Sequence, residues 1–208
     1  MWEYLVGVIA EPGRALREVA EKKLWKEGLL LVVVLALLNG AVSLATANSS
    51  SANLSDPELA RFLTSLYNPA VFLPFILVTA ALSWFLSGAI YYGFSRLFKG
   101  TGTLAGMLAG LGFAMTPYLL SVPLSALALL LGQTTASLVG GVAGFVAGLW
   151  ILALNVLAIR ESQQLDTGPA IGVMLITIAS FFVLALIIGI LIAIIVAIAA
   201  FLGGSIPS

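Results

Sequence analysis

From Gly100 to Ile159 the chain runs sixty residues without one Asp, Glu, Lys or Arg. A second uncharged stretch, Thr167 to Ser208, closes it, and Gly28 to Thr46 forms a third. A crossing of the hydrocarbon core needs about 20 apolar residues. A soluble domain would carry about a quarter charged residues, whereas this chain carries 9% and is 61% hydrophobic. Only the bilayer can act as solvent for such surfaces. The expected fold is all-α, a polytopic transmembrane helix bundle.

The punctuation between apolar runs predicts five spans, at about 28–46, 70–92, 103–131, 138–159 and 168–202. Pro117 and Pro123 should kink the third, because proline removes a backbone donor and clashes with the preceding turn. The polar run Gly132 to Ser137 is the expected turn before the fourth. The final run is about 52 Å long as one helix, more than the hydrocarbon thickness. A hairpin would need a turn, and its middle offers only Gly189 among Ile and Leu. One long tilted or partly interfacial helix is the expectation.

Residues 1–27 hold ten of the eighteen charged residues and form a separate N-terminal segment ahead of a membrane domain at 28–208. They lack the basic start of a cleaved signal peptide. Pro12 suits the first turn of a helix. Leu16, Val19, Ala20 and Leu24 then recur on one stripe. This amphipathic helix should lie at the interface with Trp2, Tyr4 and Trp25 at headgroup depth; the alternative is a helix packed on the protein's own cytoplasmic face. Between the first two spans, Ser55 and Glu58 read as a capping box before a short amphipathic helix with Leu59, Phe62, Leu63 and Leu66.

Basic residues in short loops are retained in the cytoplasm. With five spans and the N-terminus inside, Arg14, Arg17, Lys22, Lys23, Lys26, Arg96, Lys99 and Arg160 are cytoplasmic, and Arg61 alone is outside. That arrangement places the C-terminus outside and the protein in the cell membrane. Asn48 and Asn53 each begin an Asn-x-Ser sequon in the outer loop, which makes them candidate glycosylation sites.

Cysteine and histidine are absent, which removes thiolate nucleophiles, imidazole bases and the usual zinc, haem and iron–sulfur ligands. No catalytic residue, cofactor or metal site is expected, and the zero net charge gives no reason to expect nucleic acid. No ionisable residue falls mid-span, where a coupled transporter would keep one. Asp56 and Asp166 fall on opposite sides of the membrane, so a di-aspartyl site fails. Glu161 and Asp166 share a loop but read as ordinary solvated carboxylates. Polar residues at depth, among them Asn39, Ser83, Ser87, Thr116, Asn155, Thr177 and Ser180, are expected to bond between helices. Gly102, Gly106 and Gly110 recur every four residues, as do Gly140, Gly144 and Gly148. Each set should lie on one helix face and permit close approach, between spans three and four or between copies of the chain.

Four segments together resemble the Yip (Ypt-interacting protein) domain family of five-span membrane proteins. Glu11 to Glu18, led by Pro12, is similar to the helix before that family's first span. Lys99-Gly100-Thr101-Gly102-Thr103 is similar to its Gly-rich cytoplasmic turn. Gly112 to Pro117 resembles its third-span Gly-aromatic-Ala…Pro. Trp150, followed by Leu165 to Ala170, resembles its fourth-span Trp and the start of its fifth span. The resemblance implies five spans, a cytoplasmic N-terminus and a role in membrane trafficking or organisation. Eukaryotic members are associated with Rab-type GTPases through a longer cytoplasmic N-terminus, and the family carries an Asp-Leu-Tyr-Gly-Pro signature before its first span. Both are missing here, so a GTPase partner does not carry over, and the chain looks like a bacterial or archaeal member. The expected role is non-enzymatic: organising the bilayer, a homo-oligomer or a membrane-protein partner. The alternative is a channel or carrier for a small neutral or lipid-like solute.

Overall fold

The computed structural model describes residues 1–51 and 65–203, with 58 and 61 between them. Among these the protein is helical throughout, with no strand. Five helices are long and apolar enough to cross a membrane. Asn53, Ser55, Leu59, Phe62 and Leu63 lie outside the described residues, so the second sequon, the capping box and most of the short helix after it do too.

Two short helices come first, α1 (Trp2–Ala10) and α2 (Pro12–Glu21). Glu11 adopts φ −136° and reverses the chain, and Pro12 occupies the first turn of α2, where a missing N–H leaves no bond unmade. Gly7 lets the two helices close to the point where a Cβ there would sit 3.0 Å from Ala15. The apolar stripe of α2 is buried, with Leu16 and Val19 fully enclosed. It packs on the protein's own helices and not on lipid. Trp2, Val6 and Ile9 of α1 stay exposed.

The first span is α3 (Trp25–Ser51) and the second α4 (Pro69–Leu97). Asn68 caps α4 by accepting the Ala70 N–H at 3.0 Å. The third span is divided. Its first half, α5 (Leu104–Ala114), is capped by Thr103, whose hydroxyl accepts the Gly106 N–H at 3.1 Å. Every residue of α5 from Gly106 to Ala114 is buried, so this helix is the axis of the bundle. It ends where Pro117 offers no N–H and the chain turns through i→i+3 bonds, Tyr118 N–H to Met115 O and Leu119 N–H to Thr116 O. Its second half is α6 (Tyr118–Ala128), which accommodates Pro123 without breaking.

The turn into the fourth span comes earlier than expected. A 3₁₀ turn at Leu129–Leu131 and Gly132, at φ +103°, reverse the chain. Helix α7 (Gln133–Gln163) therefore already includes Gln133 to Ser137. One glycine in a conformation closed to other residues suffices, and the uncharged polar residues after it join the helix. The final run is one unbroken helix, α8 (Thr167–Gly203).

Helices α2, α4 and α7 end at Lys23, Lys99 and Gln164, each left-handed at φ 52°, 63° and 55°. Leu24, Gly100 and Leu165 donate back to Val19, Ser95 and Arg160, closing three Schellman-type turns at one end of the bundle. Lys22, Lys23, Lys26, Arg96, Lys99 and Arg160 lie on or beside these turns, and Arg14 and Arg17 lie on α2, which packs against α7. The buried core, with Leu16, Met107, Phe113, Leu154 and Ile159, lies in this half. Beyond Thr177 none of the described side chains of α8 is buried, and its described Ile and Leu side chains face outward as a lipid-facing helix does.

Candidate functional site

Two concave features stand out, one at the charged end and one within the bundle. At the charged end, α2, the 99–103 loop and the α7–α8 turn enclose a cleft of about 660 Å³. Its wall is an ion-pair clamp between residues 144 positions apart. Arg17 Nε donates to Glu161 Oε2 at 2.7 Å, and Arg160 Nε donates to Glu161 Oε1 at 2.9 Å. The Glu161 side chain is only 5% exposed. Its hydrogen bond and charge raise the Arg17 guanidinium above its ordinary pKa. Arg160 also reaches the Thr167 hydroxyl at 3.2 Å, tying α7 to α8.

The loop is joined to α7 by the Thr101 N–H donating to Gln163 O at 3.0 Å and the Thr101 hydroxyl donating to Gln164 Oε1 at 2.8 Å. Arg96 holds the same loop from α4, donating to Gly100 O at 2.6 Å and Gly102 O at 2.8 Å. Gln163 is fully buried; its amide donates to Thr103 O, while its Oε1 meets no partner among the described residues. Both Glu161 oxygens are occupied by guanidinium donors, so this carboxylate is poorly disposed to accept a proton from a substrate. Asp166 is exposed and lines the same cleft. Among the described residues no three His, Cys, Asp or Glu converge as a metal site would require.

The sequence-predicted packing residues fall into two groups. Gly100 and Gly102 sit in the loop before α5, so the run at 102, 106 and 110 occupies a loop and a helix, not one helix face. A Cβ at Gly102 would overlap the Ser162 carbonyl oxygen; at Gly106 it would sit 3.0 Å from Ala20 O, and at Gly110 3.2 Å from the Ala158 Cβ. Pro12 opens α2, and Pro117 is buried at the α5–α6 break. On α7, Gly140 is half-buried, Trp150 is 41% exposed, and a Cβ at Gly144 or Gly148 would meet no atom of the described residues within 4 Å. Asn48 lies in the last turns of α3.

The second feature is a cavity of about 340 Å³ between α3, α4, α5, α6 and α7. Asn39, Ser83, Ser87, Tyr91, Tyr118 and Asn155 face it. Sequence reasoning did not single out Tyr91 or Tyr118. Their signal was a polar-tipped aromatic inside an otherwise apolar span. For four of the polar residues at depth the expected bond between helices is replaced by a bond within one helix. Asn39 donates to Leu35 O, Thr116 to Phe113 O, Thr177 to Val173 O and Ser180 to Thr177 O. A carbonyl three or four residues back is always within reach of a short polar side chain.

Three of the segments that carry the family resemblance, Glu11 to Glu18, Lys99 to Thr103 and Leu165 to Ala170, meet around the charged cleft. The fourth, Gly112 to Pro117, ends the buried axis helix. The Yip1 domain family model matches residues 6–189. The chain is a member of the Yip1 domain family. The match begins within α1 and reaches the exposed part of α8, so it takes in all five spans and the N-terminal helix pair. As a Yip1 domain protein it is a multi-pass membrane protein. No curated protein and no solved structure matches it.

Proposed function

We propose that this Yip1 domain protein is a non-enzymatic organiser of the cell membrane, of bacterial or archaeal type, whose charged end faces the cytoplasm and docks a membrane-protein partner or a second copy. The observation that carries this reading is the clamp. Glu161, held by Arg17 and Arg160, fixes α2 across the bundle end and keeps one polar cleft open beside it. A rigid platform of this kind suits recognition, because its shape exists before a partner arrives. The orientation rests on eight of nine cations gathering at that end, and it leaves Asn48 and Asn53 outside as candidate glycosylation sites.

The chain has no cysteine, so single substitutions Lys22→Cys and Lys99→Cys give unique labels. A membrane-impermeant maleimide should reach both only from the cytoplasmic side; labelling from opposite sides would end the assignment. Capture of the full chain from mild detergent should return one reproducible partner or a self-oligomer. Replacing Thr167 with Trp, which fills the cleft, should reduce it. A clean monomer with no partner would count against docking.

A channel or carrier for a small neutral or lipid-like solute is a second reading, favoured by the polar groups lining the cavity within the bundle. Flux above background in liposomes is its measurement.

A further inference from the structure

Six polar side chains from four helices open onto one cavity in the middle of an apolar bundle. We propose that this cavity is a binding site for an uncharged, hydroxyl-bearing lipid that enters sideways from the bilayer. The proposal is independent of whether the charged end docks a partner.

Depth is the first argument. At about 1.5 Å per residue, Asn155 lies about 12 Å from the charged end of α7, and Ser83 about 21 Å from the charged end of α4. Both positions fall inside the hydrocarbon layer, where bulk water is not available to hydrogen-bonding groups. Asn39 uses its amide N–H₂ on Leu35 O at 2.9 Å and leaves its carbonyl oxygen over. The side chains of Ser83, Ser87, Tyr91, Tyr118 and Asn155 meet no hydrogen-bond partner among the described residues. Polar groups left unpaired at this depth are costly, so a set of them facing one space points to an occupant that pairs with them.

The lining chooses the occupant's chemistry. It includes no charged residue, so a phosphate or ammonium headgroup would be stripped of water without a counter-charge. Two phenols, two serine hydroxyls and two amides supply donors and acceptors together, which a hydroxyl group matches and an ether or hydrocarbon does not. The rest of the wall is apolar, Leu111 and Met115 among it, and suits an acyl chain. The volume is at the small end of the range of ligand sites, about 300 to 1,000 Å³. That is enough for a glycerol-sized head and the first methylenes, while the remaining chain stays in the bilayer. Asn39 and Ser83 are exposed on the outer surface of α3 and α4, which places the mouth on the lipid side.

The test uses the full chain in phosphatidylcholine vesicles with two photoactivatable probes, a diazirine diacylglycerol and a diazirine phosphatidylcholine of the same chains. The diacylglycerol probe should label peptides around Ser83 to Tyr91 and around Asn155, and unlabelled diacylglycerol should displace it. Asn155→Leu, and separately Ser87→Leu, should lower that labelling about fivefold, the size of one lost hydrogen bond. The phosphatidylcholine probe should label the outer face of α8 in all variants alike. Equal labelling of the cavity by both probes would overturn the proposal. So would failure of unlabelled diacylglycerol to compete on the native chain, a measurement that needs no variant to fold. A cavity that takes up water only, with no diacylglycerol label, would also overturn it.

Discussion

Gly102, Gly106 and Gly110 share their spacing with Gly140, Gly144 and Gly148, yet the structure treats the two runs in opposite ways. Around the first, backbone and Cβ atoms of α2 and α7 stand where a side chain would go; around Gly144 and Gly148 there is open space. The first run belongs to the loop and helix at the axis of the bundle, with α2, α3, α4 and α7 around it. The second lies on the first half of α7, whose neighbours Val142, Phe145 and Val146 are exposed. Spacing by four therefore does not by itself mark a packed helix face, since Gly102 lies in the loop before α5. Whether such a face is an interface depends on where the helix sits.

Substitution would break this contrast or sharpen it. Gly102→Ala should have the largest effect, because its methyl would overlap backbone at Ser162 and lie 2.9 Å from the Gln163 Cα. A rigid backbone neighbour cannot move aside, so a loss of about 3 kcal/mol or more is expected. It would be read as collapse of the monodisperse peak in detergent; an intact peak with an unchanged melting temperature would refute the packing described.

Next comes the clamp on the same packed end. Glu161→Ala removes a carboxylate that is 5% exposed and frees both arginines, for about 1 to 2 kcal/mol. Proteolysis at the α1–α2 pair should accelerate. Arg14→Ala is the matched control, because its pairs with Glu11 and Glu18 are exposed and contribute little.

Gly144→Ala should act in the opposite direction. With nothing to strike, the methyl adds helix propensity, and stability should rise by about 0.5 to 1 kcal/mol in thermal unfolding. A fall would mean that a second copy of the chain occupies this face.

The smallest effect concerns pH. The Lys22 ammonium donates to the Tyr4 hydroxyl at 2.6 Å, and this bond raises its pKa above the ordinary 10.5. A raised lysine contributes its stability below the unfolded pKa and loses it only as pH climbs through the folded one. Attachment of α1 to α2, followed by tryptophan fluorescence, should be flat from neutral pH to pH 9 and weaken only in stronger alkali. A transition near neutrality would exclude this pair as its cause.

Much of the architecture was legible because the bilayer imposes one rule on every segment. Uncharged stretches long enough to cross must be helical, and the final stretch, with only Gly189 to offer a turn, favoured a single helix over a hairpin. The Pro117 break was readable for the same local reason, a missing N–H. The turn expected over Gly132 to Ser137 ends at Gly132 itself, since polar residues after a glycine can turn or begin a helix with equal local ease. The partner of Glu161 was not legible at all: Arg17 lies 144 positions away with no local signal joining them. Tyr91 and Tyr118 likewise become members of one cavity only when α4 and α6 border the same space.

Composition and charge order by themselves determined a five-span helical membrane protein with its cations gathered at one end, because transfer from water to hydrocarbon acts on each segment separately. Tertiary structure alone decided that α2 lies on α5 and α7, that one glycine run is enclosed and the other open, and that six polar groups meet inside the bundle. These outcomes depend on which helices become neighbours, and that is settled by close packing over the whole chain and not by the preferences of any one stretch.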